Sequence, residues 1–215
     1  MFDPPTRNYA GYIFDCDGTL ADSMPVHHLA WRAALEQHRA TIEFDWELFV
    51  SRAGMSLTKT VEALNQQFGL TLNPEAVAAA QRREYQRFLP GVQPIAPVVY
   101  LARRVAKSRA VSVASGGERG IIARTLELIG LTDIFSVVVT PEDVPHGKPA
   151  PDMFLLAAER MEVAPADCVV FEDGVLGIEA AERAGMDSVL VRGRNSEKPQ
   201  FTPSHGSMGL GSRSG

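Results

Sequence analysis

Tyr12-Ile13-Phe14-Asp15-Cys16-Asp17-Gly18-Thr19-Leu20 is the stretch on which the fold turns. A short apolar run breaks into two carboxylates two positions apart and then a glycine, the pattern of a buried strand ending in a turn. Taken alone, Asp-x-Asp-Gly could equally be a turn without chemistry. Further along, apolar runs at 110–114, 137–139, 168–171 and 188–191 alternate with helix-length segments at 119–129, 151–161 and 175–184. Strands apolar on both sides and separated by helices predict a parallel sheet covered on both faces, with each of the five runs a buried strand. The expected fold class is α/β, with a doubly wound (Rossmann-like) parallel sheet as its core.

Between residues 24 and 90 the strand pattern vanishes. Val61, Leu64 and Phe68, then Val77, Ala80 and Phe88, recur at helical spacing instead. This predicts an inserted all-helical cap domain at 24–90 on an α/β core formed by 1–23 and 91–195. The insert leaves just after the first strand and returns at Leu89-Pro90-Gly91, so two hinge segments join cap to core. A cap in that position suggests gating. Residues 196–215 are rich in Gly, Ser and Pro without periodicity and read as a flexible tail.

The 215 residues are 45% hydrophobic and 22% charged, ordinary for a globular chain, with a net charge of −5. Residues 192–215 carry four basic and one acidic residue, so the rest is more acidic still. Such a body is a poor ligand for polyanions, and no nucleic-acid partner is expected. Arg82, Arg83 and Arg87 read as a solvated helix face. No apolar run approaches a membrane span, and residues 1–7 lack a basic segment followed by an apolar one, so neither membrane nor export is expected. Cys16 and Cys168 are too few and too far apart for a disulfide framework or a thiolate metal site, which points to the cytoplasm.

Three further loci join it, two of them where strands give way to loops. One is Ser115-Gly116-Gly117, a hydroxyl and exposed N–H groups that could cradle an anion; another is Lys148; the third is Glu172-Asp173. Ligands of open α/β sheets bind at the carboxyl edge, so all four loci are expected to converge there. Asp15, Asp17, Glu172 and Asp173 crowded around a single lysine would repel strongly without a cation. A hard, oxygen-seeking ion such as Mg2+, sharing the site with a substrate phosphate, fits that set better than zinc. One carboxylate can then be the nucleophile of an aspartyl-phosphate intermediate and a neighbour the acid and base; Asp15 and Asp17 fit those roles.

In this arrangement residues 9–192 resemble the haloacid dehalogenase-like hydrolase superfamily. Its four motifs appear in order as Asp15-x-Asp17-Gly18-Thr19-Leu20, Ser115, Lys148 and Glu172-Asp173. The resemblance implies Asp15 as nucleophile and metal ligand, and Asp17 as general acid/base whose backbone carbonyl also binds the metal. It implies Asp173 as a direct ligand, Glu172 as support for the metal shell, and Ser115 and Lys148 as holders of the phosphoryl oxygens. Gly116 and Gly117 would complete the backbone cradle. Dehalogenases of the superfamily lack the second aspartate, so Asp17 points to phosphoryl transfer.

A helical cap directly after the first motif resembles the subgroup of β-phosphoglucomutases and small sugar-phosphate phosphatases. In that subgroup a histidine at the position of His27 helps to position the acid/base. Where β-phosphoglucomutases carry a phosphate-gripping arginine, three residues past the loop glycine, this chain has Leu57, which cannot donate charge-assisted bonds to a second phosphate. Lys59 falls two residues after the Schiff-base lysine of phosphonoacetaldehyde hydrolases and is a candidate cap contact, as are Thr58 and Arg52. The 27–32 block, the 148–156 run and Phe171-Glu172-Asp173 are similar to fructose-1-phosphate phosphatase-like proteins. The resemblance thus implies a Mg2+-dependent phosphatase acting on a small phosphorylated metabolite, a sugar phosphate; a monomer or weak homodimer is expected. A phosphomutase is the alternative from the same chemistry, and a non-enzymatic binding protein on the same fold the alternative from another class.

Overall fold

A computed structural model describes residues 7–52 and 55–192. The tail expected at 196–215, residues 1–6 and 193–195 of the expected core, and Ala53-Gly54 of the cap loop lie outside the described residues. In chain order the structure forms β1 (Gly11–Phe14), β2 (Ala21–Asp22), α1 (Met24–Gln37), α2 (Trp46–Val50), α3 (Leu57–Phe68), α4 (Pro74–Phe88), β3 (Gln93–Pro94) and α5 (Ala96–Val105). It continues with β4 (Ala110–Ala114), α6 (Arg119–Leu128), β5 (Val137–Val139), α7 (Asp152–Arg160), β6 (Cys168–Glu172), α8 (Val175–Arg183) and β7 (Asp187–Leu190).

Five strands form one parallel sheet in the order β5-β4-β1-β6-β7. β1 lies at the centre, with Phe14 opposite Val113 on one side and Phe171 on the other. The period-two alternation of a strand sends Tyr12, Phe14, Val113 and Phe171 to one face, where Leu101 of α5 and Ile122 of α6 cover them. Ile13, Cys168 and Val170 go to the other face, against Met153 and Phe154 of α7 and Ala180 of α8. Both faces are therefore covered, as the apolar runs require. The chain leaves β1 toward one edge of the sheet and β6 toward the other. The carboxyl ends of these two neighbours thus form the switch point at which open α/β sheets bind ligands.

The expectation of five buried strands fails at the edges. β7 spans Asp187–Leu190 and is mostly exposed, with Leu190 at 44%, and β5 is only partly buried. Each pairs with a single neighbour, and an apolar run does not reveal whether its strand is central or marginal. Phe68, expected on a packed helix face, is 40% exposed at the last position of α3, and Phe88 is half-buried. Pro151 sits one residue ahead of α7 as its cap rather than inside it.

Four helices, α1 to α4, lie between β2 and β3 and carry their own apolar cluster, which includes Trp31, Phe44, Trp46, Phe49, Val61, Leu64 and Val77. The two crossings between these helices and the sheet are tied together. β2 and β3 pair antiparallel, Ala21 opposite Pro94 and Asp22 opposite Gln93. Val26 and Ala30 of α1, Tyr85 of α4 and Leu89 pack with the apolar face of the sheet rather than with the cap cluster, so both helix ends nearest the crossings are seated on the core.

The centre of the sheet is the most tightly constrained part. Phe14 is fully buried, stacks on Phe171 at 4.9 Å between ring centroids and meets the edge of Phe135 at 5.9 Å. Phe14→Ala should therefore cost about 3–5 kcal/mol, read as a lower urea midpoint at unchanged slope. A loss below about 1 kcal/mol would contradict this packing.

Candidate active site

The sheet topology brings three carboxylates to one place. Asp15 follows the last residue of β1, and its backbone N–H donates to the Phe171 carbonyl of β6 at 2.9 Å. Glu172 ends β6 and Asp173 follows it. One oxygen from each of Asp15, Glu172 and Asp173 lies within 4.8 Å of the others. Burial pushes the Asp15 carboxyl well up, as do its Glu172 and Asp173 neighbours, while Lys148 pulls it back. Asp173 is pushed up to about 7, by burial first and then by the Glu172 charge. These are three hard oxygen donors with no histidine or cysteine among them, a set that could hold a metal ion and favours one that prefers oxygen.

Lys148 arrives from the loop between β5 and α7 and spends all three of its N–H donors inside the protein. It donates to Asp15 Oδ1 at 2.7 Å, Glu172 Oε1 at 2.7 Å and the Ala114 carbonyl at 3.0 Å. The two carboxylates hold its pKa above the ordinary lysine value against the effect of burial, so it stays charged. Its partners are thus the carboxylates themselves, and a phosphoryl oxygen would have to share one of these donors. Glu172 is held at both oxygens, since its Oε2 accepts from the Gly174 N–H at 2.7 Å.

Two glycines make room for this cluster. Gly18 has φ +82°, and a Cβ there would stand 2.1 Å from Asp173 Oδ2. A Cβ on Gly177, one turn into α8, would stand 2.0 Å from Glu172 Oε1. Neither Gly177 nor the Ala114 carbonyl stood out in the sequence, since each serves the site only through a partner distant along the chain.

Ser115 is buried at the end of β4 and its Oγ accepts from the Gly117 N–H at 3.3 Å, with Gly116 exposed between them. A Cβ on Gly117 would be 3.3 Å from Asp17 Oδ2, so the Ser115 loop and Asp17 face one another. Asp17 lies outside the three-carboxylate cluster. Its Oδ1 accepts a hydrogen bond from the Tyr85 hydroxyl of α4 at 3.4 Å. Tyr85 stacks on His27 with centroids 3.9 Å apart and planes 13° from parallel. The structure thus brings His27 beside Asp17 through Tyr85, which lies between Arg83 and Arg87 on α4. Cys16, between the two aspartates, is fully buried in the apolar face, and burial pushes its thiol well up, away from redox chemistry.

The cap candidates are less engaged. Lys59 is exposed on the first turn of α3, where its backbone N–H donates to the Ser56 side chain. Thr58 Oγ1 lies 3.4 Å from Ser56 Oγ, and Arg52 bonds Gln67. Leu57 opens α3 and is half-buried. No described helix is long and apolar enough to cross a membrane.

Known proteins share this framework. Residues 9–185 match the haloacid dehalogenase-like hydrolase family. Over 187 residues the chain is 38% identical to the fructose-1-phosphate phosphatase YqaB of Escherichia coli strain K12, covering 86% of this chain and 98% of that protein. Over 186 residues it is 29% identical to the beta-phosphoglucomutase of Bacillus subtilis strain 168, covering 83% and 81%. The crystal structure of a HAD family hydrolase from Deinococcus radiodurans R1, with bound phosphate and sodium, is similar with a TM-score of 0.70 at 26% identity, over 84% of this chain and 79% of that one. The chain accordingly belongs to the haloacid dehalogenase-like hydrolase family, as an enzyme of the phosphoric monoester hydrolase class.

Proposed function

We propose that the protein is a Mg2+-dependent phosphatase that hydrolyses a small sugar phosphate of the fructose 1-phosphate type through an aspartyl-phosphate on Asp15. The observation that carries this reading is the separation of two neighbouring aspartates. Lys148 clamps Asp15 beside Glu172 and Asp173, whereas Asp17 turns away toward Tyr85 and the Ser115 loop. Two carboxylates in such different surroundings suit two different tasks. The 38% identity to the Escherichia coli fructose-1-phosphate phosphatase supports the substrate class, and Leu57 in place of a phosphate-gripping arginine weighs against a mutase.

Mg2+ would be held by Asp15, Asp173 and the Asp17 carbonyl, backed by Glu172, and when bound supplies charge neutralisation to the phosphoryl group. Lys148 fixes one oxygen of Asp15, leaving the other to attack phosphorus. As the new O–P bond forms, the ester P–O bond breaks and Asp17 gives a proton to the departing alkoxide. Ser115 and the Gly116-Gly117 backbone receive the phosphoryl oxygens, and Lys148 offsets the charge that develops. Water then enters, Asp17 takes its proton, and the oxygen attacks phosphorus to release phosphate and restore Asp15. Residues 24–90 act in this reading as a cap over the core of 1–23 and 91–195, with His27 steadying Asp17 and Lys59 offered to the sugar. We place the enzyme in the cytoplasm as a monomer or weak homodimer; the free thiols of Cys16 and Cys168 suit a reducing compartment.

The test is phosphate release from a panel of fructose 1-phosphate, glucose phosphates, nucleotides and p-nitrophenyl phosphate. Release should favour a small sugar phosphate and fall about 10²-fold or more with EDTA. Asp15→Asn should remove turnover and leave the thermal midpoint nearly unchanged; retained turnover would refute the nucleophile. Glucose 6-phosphate appearing from β-glucose 1-phosphate without free phosphate would establish the mutase instead.

Leu57→Arg should leave turnover intact and tighten inhibition by fructose 1,6-bisphosphate about tenfold. Unchanged inhibition would mean that Leu57 does not face the substrate.

The carboxylate cluster also makes a pH prediction. Asp173 is raised to about 7 in the fold, above the ordinary aspartate value of about 3.9. In metal-free protein its contribution to stability is complete below about pH 4 and is lost as pH rises through about 7. Mg2+ binds the ionised carboxylate, so the thermal shift it produces should be larger at about pH 8 than at about pH 5. A shift independent of pH would remove Asp173 from the metal site.

A further inference from the structure

Among the described hydrogen bonds, the one that reaches Asp17 from the inserted helices comes from Tyr85. Tyr85 lies in the last turn of α4, four residues before the Leu89–Gly91 turn that returns the chain to the sheet, and is only 4% exposed. Its ring lies flat on His27, which sits in the first turn of α1, just past the other crossing. The stacked rings therefore come from the two opposite crossings, and β2 and β3 pair those same crossings. On the core side the loop that carries Asp17 is tied to the first crossing as well, since Asp17 bridges Ala21 of β2 and the Gly18 N–H donates to the Ala21 carbonyl at 2.8 Å. Asp17 thus stands between a loop anchored to β2 and a phenol anchored to the end of α4.

The chemistry of the contact has one sense. Burial and the adjacent Asp17 both raise the Tyr85 pKa, so the phenol keeps its proton and offers it to the carboxylate. Burial lowers the pKa of His27 while Asp17 opposes it, and a neutral imidazole stacks on the phenol without placing a second charge beside the carboxylate. At 3.4 Å the bond is longer than the 2.5–3.0 Å usual for O–H···O, as catalytic contacts often are before substrate binds.

We infer that Tyr85 is a positioning residue for Asp17: its hydroxyl, held by the stack on His27, aims the carboxylate at the leaving oxygen. The inference rests on the reading of Asp17 as acid and base. It adds a residue of α4 to that step. It also has a chemical signature. An alkoxide must be protonated as it leaves, whereas p-nitrophenolate is stable enough to leave without a proton. Misplacing Asp17 should therefore slow the first step for an alkyl phosphate far more than for an aryl phosphate.

The experiment measures kcat and KM of the Mg2+-loaded enzyme for fructose 1-phosphate, or the best alkyl phosphate of the panel, and for p-nitrophenyl phosphate. Tyr85→Phe, Asp17→Asn and the double variant are compared with the unaltered protein. Tyr85→Phe keeps the ring and loses the donor. Its kcat/KM for the alkyl phosphate should fall about 10- to 100-fold with KM within about threefold, and that for p-nitrophenyl phosphate should fall less than about threefold. The ratio of the two kcat/KM values does not depend on how much protein is folded, so partial unfolding cannot mimic the result. In the Asp17→Asn background, Tyr85→Phe should change the ratio no further. An equal loss on both substrates, no loss, or a further change of the ratio in the Asp17→Asn background would each overturn the inference. Asp17→Asn with an unaltered ratio would overturn the acid/base reading itself, a distinct outcome.

Discussion

The ammonium of Lys148 is the interaction on which the remainder of the site depends. It joins the Asp15 carboxylate after β1, the Ala114 carbonyl at the end of β4 and Glu172 at the end of β6. One short head group can reach three chain segments only if their strands are neighbours, and β4-β1-β6 is the middle of the sheet order. Sheet topology and site charge are thus one constraint. The lysine side chain is 11% exposed and its carboxylate partners 7% and 5%. Charges so deeply placed persist only when paired and hydrogen-bonded, and removal of one partner leaves the others uncompensated. Fully ionised, three acids against one lysine leave an excess of negative charge, which burial resists by raising Asp15 and Asp173 and which a cation would offset.

Asp15 and Asp17 are separated by a single residue yet belong to different environments. The alternation of an emerging strand sends Cys16 into the apolar layer with Phe14 and Leu20, leaving the aspartates on either side of it free to reach the sheet edge. Gly18 then turns the chain with a positive φ, and the loop closes on Ala21. Asp15 faces a lysine and two acids, while Asp17 faces a phenol and a serine loop. The same nine residues therefore supply both a strand that centres the core and two carboxylates in separate surroundings.

Most of this was legible because it is local. Apolar runs at strand length, helix-length spacers and the carboxylates at strand ends are patterns within a few residues, and they mark β1, β4 and β6, their loops, and Lys148. What stayed hidden is set by tertiary placement. The exposure of β7 follows from its having β6 alone as neighbour, which its own residues do not record. Tyr85 is 68 positions from Asp17, and its side-chain type is equally at home in any helix core. The pairing of β2 with β3 involves two residues on each side, too short for any periodicity. The saturation of Lys148 depended on counting donors against partners, among them a backbone carbonyl, and no motif contains that count.

The division of labour between core and cap follows from how each holds its side chains. In the core, two carboxylates are pressed against backbone. Asp173 lies where a Cβ of residue 18 would be, and Glu172 where a Cβ of residue 177 would be. Were either glycine given a side chain, the carboxylate would have to swing away, and Glu172 would give up the bonds from Lys148 and the Gly174 N–H that fix it. Backbone therefore sets the core geometry, which leaves it little freedom to adapt to different substrates. In the cap, Lys59 and Thr58 stand on the first turn of α3 with only short-range partners, and Arg52 is held by Gln67 alone among the described contacts. Side chains that make few bonds can change without disturbing the fold. The carboxylate cluster thus sits on rigid strand ends, while the side chains at the start of α3 are free to vary, and the stacked pair of His27 and Tyr85 stands at the crossings between the two.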